Sequence, residues 1–216
     1  LAFQRRSEDR VAVTWIGDGS NKSGEVHEAM NYAAVQRLPV VFVIQNNQVA
    51  LGTHLSQHHR SADFSGWGAA YGMPAHGVDG NNVLDVHAAA VEAVAECREG
   101  RGPAMILAET FRMGGHATHD EREARQMMSP DLFQRWGRRD PVGQYEEYLA
   151  HLGRPLAPAG VEQGPSEDAV QWNRSLMRAV EAEVIQEVDT GETEALQSRE
   201  VSVPEPGLHA DLECYG

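Results

Sequence analysis

Cysteine, lysine and long apolar runs are all scarce in this chain of 216 residues. Its two cysteines, Cys97 and Cys214, lie far apart and give neither a disulfide framework nor the spacing of a zinc site, which favours a reducing compartment. The single lysine, Lys22, is a poor candidate for Schiff-base chemistry. No run approaches the roughly 18 apolar residues of a membrane span, so no membrane contact is expected. Acidic residues outnumber basic ones by 32 to 18, which argues against a nucleic-acid partner.

The remaining composition is that of a folded protein, with 41% hydrophobic residues. The chain begins at Leu1 and shows no targeting segment, so we expect it to be part of a longer polypeptide cut at its amino-terminal side. The net charge is −3 over residues 1–116 and −11 over residues 117–216, and the pattern of apolar residues changes at the same place. We therefore expect an α/β domain over 1–128, a helical extension over 129–190 and an irregular tail over 191–216.

Short apolar strands alternate with helical patterns through the first part of the chain. Strands are predicted over 11–16, 40–44, 76–78 and 105–108, and helical spacing of apolar residues recurs over 24–36, 62–71 and 83–99. The run Val40–Ile44 is apolar throughout, which is typical of a strand buried on both faces of a parallel sheet. This alternation predicts a doubly wound, mostly parallel α/β sheet. Beyond it we expect a long loop over 111–128 and helices over 131–136, 144–152 and 168–188.

Two polar turns follow apolar strands directly, Gly17-Asp18-Gly19 after the first and Asn46-Asn47 after the second. One crossover joins these strands, so they run parallel and both turns lie at the carboxyl edge of the sheet, where open α/β sheets bind ligands. Asp18 and Asn47 can therefore converge on one Mg²⁺ ion, with phosphate oxygens completing its shell. Either turn alone is a common structural feature, and it is their pairing across one crossover that favours a metal and phosphate site.

The two turns, separated by twenty-six residues, resemble the thiamine-diphosphate signature. Three further segments narrow the resemblance: Gly24–Ala34, Gly77–Asn81 and Arg112–Thr118. Together they resemble the α subunit of the decarboxylating first component of 2-oxo acid dehydrogenase complexes, of the branched-chain or pyruvate type. The resemblance is continuous from about residue 10 to residue 120 and weaker as far as residue 152. It implies a thiamine-diphosphate-binding fold that lacks its amino-terminal part here.

The resemblance also implies a cofactor site. Asp18, Asn47 and the main-chain oxygen of Val49 would be the Mg²⁺ ligands, and a main-chain ligand tolerates valine where relatives carry an aromatic residue. Gly19 and Ser20 would face the diphosphate of thiamine diphosphate.

Three more positions are assigned by the resemblance alone. Gln45 stands where relatives place a residue that approaches the cofactor. Arg112 and His116 would close over the diphosphate from the loop after the last strand. His116 would also be catalytic, near the cofactor and in passing the acyl group to lipoyl, a role that suits imidazole because its pKa lies near working pH.

The implied reaction is oxidative decarboxylation of a small 2-oxo acid, followed by acyl transfer to a lipoyl group on the transacylase component. In this family the cofactor lies between α and β subunits, in a heterotetramer with two copies of each, so this chain would hold half a site and be inactive alone. We expect the bacterial cytoplasm, or the mitochondrial matrix if the source is eukaryotic. Which 2-oxo acid is used stays open.

Two other interpretations stand beside this one. The first is a non-catalytic assembly subunit of such a complex, although that role gives no physical need for Asp18, Asn47, Arg112 and His116 together. The second is another thiamine-diphosphate enzyme, transketolase-like or an acetoin dehydrogenase. Arg112 and the glycine-glycine-histidine segment count against a transketolase-like protein.

Three neighbouring histidines, His54, His58 and His59, are the remaining candidates for chemistry. Imidazole binds transition metals, but this polar stretch has no cysteine nearby, so a metal site is the less favoured interpretation. A Gly-x-Ser-x-Gly elbow and a dinucleotide fingerprint after a strand are both absent from the sequence.

Overall fold

The computed structural model describes residues 1–117, 119–157 and 168–201, and the chain separates into two compact units, Leu1–Tyr145 and Glu146–Gly216. The strands of the first unit are β1 (Ala12–Gly17), β2 (Val40–Asn46), β3 (Val49–Ala50), β4 (Thr53–His54), β5 (Ala75–Asp79) and β6 (Ala104–Glu109). Its helices are α1 (Ala2–Arg5), α2 (Gly24–Gln36), α3 (Leu55–His58), α4 (Trp67–Tyr71), α5 (Val83–Arg98), α6 (Glu121–Met127) and α7 (Pro130–Gly137). Helix α8 (Pro141–Ala150) crosses the boundary between the units, and α9 (Ala169–Val201) belongs to the second.

The central sheet has the strand order β1-β2-β6-β5, and all its strands run parallel. Side chains alternate across the sheet, so each face packs on its own helix. One core layer joins α2 to the sheet through residues that include Met30, Ala33, Phe42, Ile44, Met105 and Leu107. The other joins α5 to the opposite face through residues that include Val41, Ala89, Ala93, Cys97, Ala104 and Ile106. The predicted doubly wound, mostly parallel α/β sheet followed by helices is confirmed.

The register of the sheet places the two polar turns side by side. Gly17, the last residue of β1, pairs with Gln45 on β2, and Gln45 pairs with Ala108 on β6. The turns therefore leave neighbouring strands at the same level, as the single crossover through α2 requires. Among the described residues, no helix is both long enough and apolar enough to cross a membrane.

Several local predictions differ from the structure. The helix expected over 62–71 is shorter in the structure and consists of α4 alone. The Oδ1 atom of Asp63 accepts the main-chain N–H of Ser65 at 2.8 Å, and the resulting turn competes with helix formation. The loop expected over 111–128 contains α6, whose first turn holds Glu121 in an ion pair with Arg125 one turn later. The short hairpin of β3 and β4 was not predicted.

The predicted irregular tail does not begin at residue 191. Helix α9 runs on to Val201, past the end predicted near residue 188. A single Gly191 costs a helix only about 1 kcal/mol, and the strong helix formers around it offset that cost. The rest of the predicted tail, 202–216, lies outside the described residues.

The second unit is organised around one buried amide, that of Asn173, which is fully buried. Its Nδ2 donates to the main-chain oxygens of Leu149 at 2.8 Å and Arg154 at 3.1 Å, and its Oδ1 accepts from the N–H of Leu156 at 2.7 Å. One side chain therefore fastens α9 to the end of α8 and to the segment that follows it.

Replacing Asn173 with aspartate is expected to lower the free energy of unfolding by about 3 kcal/mol or more, because a buried carboxylate would face two carbonyl oxygens. Denaturant unfolding of the full chain measures the change. The exposed Gln186 on the same helix supplies the matched control, since Gln186→Glu should change stability by less than about 0.5 kcal/mol. Equal losses for the two variants would contradict the role given to Asn173.

Candidate functional site

A cavity of about 410 Å³ opens at the carboxyl edge of the sheet, where β1 and β2 end. It is lined by Gly17, Asp18, Gly19, Ser20, Lys22, Asn47, Val49, Ala50, Leu51, Thr53 and His116. Six of the residues predicted to bind metal or cofactor are among them: Asp18, Gly19, Ser20, Asn47, Val49 and His116. Segments far apart in sequence thus come together around one volume, which is the convergence expected from the parallel crossover.

Asp18 is the chemically distinctive residue of this cavity. Its side chain is 1% exposed, and its Oδ2 atom has no hydrogen-bond partner among the described residues. Burial raises the pKa of the Asp18 carboxyl above its ordinary value, while the nearby His58 and the N–H of Gly19 oppose the rise. A buried carboxylate oxygen without a partner is costly, and a bound cation would remove that cost.

Further oxygen donors line the cavity beside Asp18. The Oδ1 atom of Asn47 accepts the N–H of Val49 at 3.2 Å and keeps a second lone pair for a ligand. Val49 lies on β3 and is itself buried. One carboxylate, one amide oxygen and a main-chain carbonyl are oxygen donors of the kind that Mg²⁺ prefers when phosphates complete its shell. The residues present therefore fit a Mg²⁺–diphosphate group.

Gly19 allows the hairpin of β3 and β4 to approach the first polar turn. A Cβ atom on Gly19 would lie 2.5 Å from the Cβ atom of Ala50, closer than real Cβ contacts. The Gly19 backbone is in the ordinary helical region, with φ −76°, so the glycine is required by this close approach and not by its dihedral angles. The approach brings Val49 and Leu51 into the cavity wall.

The two neighbouring asparagines have separate positions. Whereas Asn47 lines the cavity, Asn46 is buried and its Nδ2 donates to both carboxylate oxygens of Glu109, each at 2.9 Å. Glu109 is the last residue of β6, so Asn46 ties the end of β2 to the neighbouring strand. Sequence reasoning missed this pair because no local pattern links residues 63 positions apart.

Arg112 and Gln45 do not line the cavity. The Nη2 of Arg112 donates to the main-chain oxygen of Leu51 at 2.6 Å, and its Nη1 lies 3.4 Å from the Nδ1 of His116. Arg112 therefore holds two residues that do line it. The side chain of Gln45 is exposed, and its main-chain oxygen accepts the N–H groups of Asp18 at 3.2 Å and Asn47 at 3.0 Å.

The three neighbouring histidines do not form a metal centre. Within the ranges that the structure describes, no group of three or more His, Cys, Asp or Glu side chains is placed to hold a metal ion. The set around Asp18 has one carboxylate and relies on amide and main-chain oxygens, so it is a different kind of site. His59 instead contacts the main chain of Asp18, a contact that the sequence did not indicate.

The sequence model of the dehydrogenase E1 component family matches residues 1–159, well over half of the chain. The chain belongs to this family. The E1 chain is 41% identical over 153 residues to the 3-methyl-2-oxobutanoate dehydrogenase subunit alpha of Mycobacterium tuberculosis, a match that covers 71% of this chain and 41% of that protein. Helix α9 lies beyond the family match.

Two further relatives of the E1 chain are also named as alpha subunits of dehydrogenases. It is 39% identical over 156 residues to the pyruvate dehydrogenase E1 component subunit alpha of Rhizobium meliloti, covering 71% of this chain and 44% of that one. It is 36% identical over 151 residues to the mitochondrial 2-oxoisovalerate dehydrogenase subunit alpha of Caenorhabditis elegans, covering 69% and 34%. The E1 chain thus spans less than half the length of each of these three relatives.

Proposed function

We propose that this E1 chain is the α-subunit half-site of a 2-oxo acid dehydrogenase acting on a branched-chain 2-oxo acid or pyruvate. The reaction is oxidative decarboxylation with thiamine diphosphate and Mg²⁺, followed by acyl transfer to lipoyl on a transacylase. The observation that carries this proposal is the buried, unpartnered carboxylate oxygen of Asp18 in a cavity built from both polar turns. An assembly subunit has no use for such a costly group.

In this proposal the metal is held by Asp18, Asn47 and the main-chain oxygen of Val49. Gly19 and Ser20 face the diphosphate, where the main-chain N–H groups of a turn suit an anion. When bound, thiamine diphosphate supplies the nucleophilic carbon and the electron sink that decarboxylation of a 2-oxo acid needs. All these residues lie within the predicted cofactor domain over 1–128.

Arg112 and His116 act from the loop after β6. The guanidinium of Arg112 donates to the Leu51 carbonyl oxygen and lies against the His116 ring, and we assign its positive charge to the diphosphate. His116 is exposed at the cavity wall, where its imidazole can hold or move a proton for the incoming lipoyl group. Gln45, whose side chain is outside the wall, approaches the cofactor only if its rotamer changes.

The other half of the site comes from a β subunit, in a heterotetramer with two α and two β subunits. The lipoyl-bearing transacylase is the second macromolecular partner, and the substrate is a small 2-oxo acid. A reducing compartment, the bacterial cytoplasm or the mitochondrial matrix, suits such a complex.

The test uses the E1 chain purified with its β subunit. Pyruvate and 3-methyl-2-oxobutanoate are supplied in turn, with Mg²⁺, thiamine diphosphate and a lipoylated transacylase domain, and CO₂ release and acyl-lipoyl formation are measured. We expect both products from at least one substrate, with EDTA or omission of thiamine diphosphate abolishing them. A folded complex that does not bind thiamine diphosphate would overturn the proposal in favour of an assembly role. One that binds it but forms neither product would overturn the assigned reaction in favour of another thiamine-diphosphate enzyme.

A further inference from the structure

We propose that His59 is a positioning residue for the cofactor-binding turn, fastening both ends of the segment Asp18–Asn21 before any ligand arrives. The proposal rests on the proposed function, since the turn concerned is the one assigned to Mg²⁺ and diphosphate. His59 lies outside the cavity wall and reaches the site through this turn.

The hydrogen bonds of His59 define its role. Its Nε2 lies 2.9 Å from the main-chain oxygen of Asp18 and 2.9 Å from the Oδ1 of Asn21. A carbonyl oxygen can only accept a hydrogen bond, so the Nε2 atom carries the hydrogen and shares it between the two acceptors. One imidazole N–H therefore closes a bridge across four consecutive residues, three of which line the cavity.

The imidazole is held rigidly by its own surroundings. The main-chain N–H of His59 donates to the oxygen of Leu55 at 2.9 Å, at the end of α3. Its ring meets the ring of Phe64 edge-on, with centroids 5.0 Å apart, and Phe64 belongs to the buried core. Leu55 is buried in the same core layer as Phe64, so the position of the His59 Nε2 atom is fixed by contacts with the core.

The acceptors are as firmly placed as the donor. Asn21 is fully buried in the short 3₁₀ turn Ser20–Lys22, and its Nδ2 has no partner among the described residues. Losing the bond from His59 would therefore leave both ends of this amide unpaired. The turn would then have to be ordered at the moment of binding, which weakens affinity.

The neighbouring His58 offers a matched comparison. Its ring lies 4.9 Å from that of His59, yet neither of its nitrogens has a hydrogen-bond partner in the part of the chain that the structure describes. Burial lowers the pKa of the His58 imidazole below its ordinary value. His58→Phe and His59→Phe are thus the same chemical change, but only His59→Phe removes the bridge.

The experiment measures the affinity of the E1 chain, purified with its β subunit, for thiamine diphosphate in the presence of Mg²⁺ by calorimetry. We expect His59→Phe to weaken binding about tenfold, since one shared donor to two buried acceptors is lost. His59→Gln, whose amide restores a donor, should come back to within about threefold of the parent protein, and His58→Phe should match the parent. Melting temperatures of the ligand-free complexes are recorded in parallel.

The outcomes separate this inference from the proposed function. If the parent complex does not bind thiamine diphosphate, the proposed function fails. If it binds and His59→Phe binds equally well, or if His58→Phe weakens binding as much, the positioning role of His59 is wrong. Nitrogen-15 NMR of the unmodified complex adds a test that needs no variant: the Nε2–H tautomer supports the bridge, and the Nδ1–H tautomer refutes it.

Discussion

Replacing Asp18 with asparagine is expected to weaken Mg²⁺-dependent binding of thiamine diphosphate about 100-fold or more, because the only carboxylate of the metal set is lost. The same change should raise the melting temperature of the ligand-free protein by about 2–4 °C, because it removes a buried negative charge. Among the described residues, the Oδ2 atom that carries part of this charge has no hydrogen-bond partner. Affinity and stability thus move in opposite directions at one residue.

The stability effect has a defined pH dependence. Burial raises the pKa of Asp18 above 3.8, so the folded protein holds this proton more tightly than the unfolded chain does. The ionised carboxylate therefore destabilises the ligand-free fold at pH values above its raised pKa, and this penalty disappears as the pH falls below 3.8. The advantage of Asp18→Asn should accordingly be full above the raised pKa of Asp18 and vanish as the pH falls below 3.8.

Calorimetric titration measures the affinity and thermal unfolding at several pH values measures the stability. Asp189→Asn, which removes one negative charge from an exposed position on α9, is the control and should change neither quantity. Unchanged affinity in Asp18→Asn would contradict the assignment of Asp18 as a metal ligand.

Adding a single methyl group at Gly19 is expected to have the second large effect. In Gly19→Ala the new Cβ would sit 2.5 Å from the Cβ of Ala50, so the hairpin must move away from the turn. We expect the free energy of unfolding to fall by about 1–3 kcal/mol, and binding of thiamine diphosphate to weaken because Val49 moves with the hairpin.

The double variant Gly19→Ala/Ala50→Gly isolates the cause. It removes the methyl group that clashes while keeping the one that was added, and should recover most of the lost stability and affinity. Gly24→Ala is the matched control, since a Cβ there meets no atom within 4 Å, and its stability should match or slightly exceed that of the parent. Denaturant unfolding and calorimetry give both quantities. If Ala50→Gly brings no recovery, the contact between the two residues is not what makes glycine necessary.

The sequence predicted the parts of this fold that depend on short-range pattern. The apolar run before Gly17, the helix over 24–36 and the apolar run before Asn46 are each clear in the sequence. A single crossover makes the two strands parallel, which places both turns at one edge. This reasoning brought Asp18 and Asn47 to one cavity, while their roles as ligands remain predictions.

What the sequence could not predict depends on contacts between distant residues. His59 is 41 positions from Asp18, and Ala50 is 31 positions from Gly19, so no local sequence pattern predicts either contact. The residue type of His59 was visible, but its neighbours decide whether an imidazole binds a metal or fastens a main chain. At Gly191 the error was of another kind, since a single glycine was given more weight than the helix formers around it.

The alternation of side chains along β2 also determines where insertions and deletions are tolerated in this chain. Val41 belongs to one core layer, and Phe42 and Ile44 belong to the other, so removing one residue from the strand would exchange the layers and turn the Asn46-Asn47 pair over. A residue added between α2 and β2, in the loop 37–39, changes the count between the two polar turns but leaves the parity of the strand intact. An insertion at that loop has only to keep Leu38 in the core, whereas one within the strand also reverses the faces of β2.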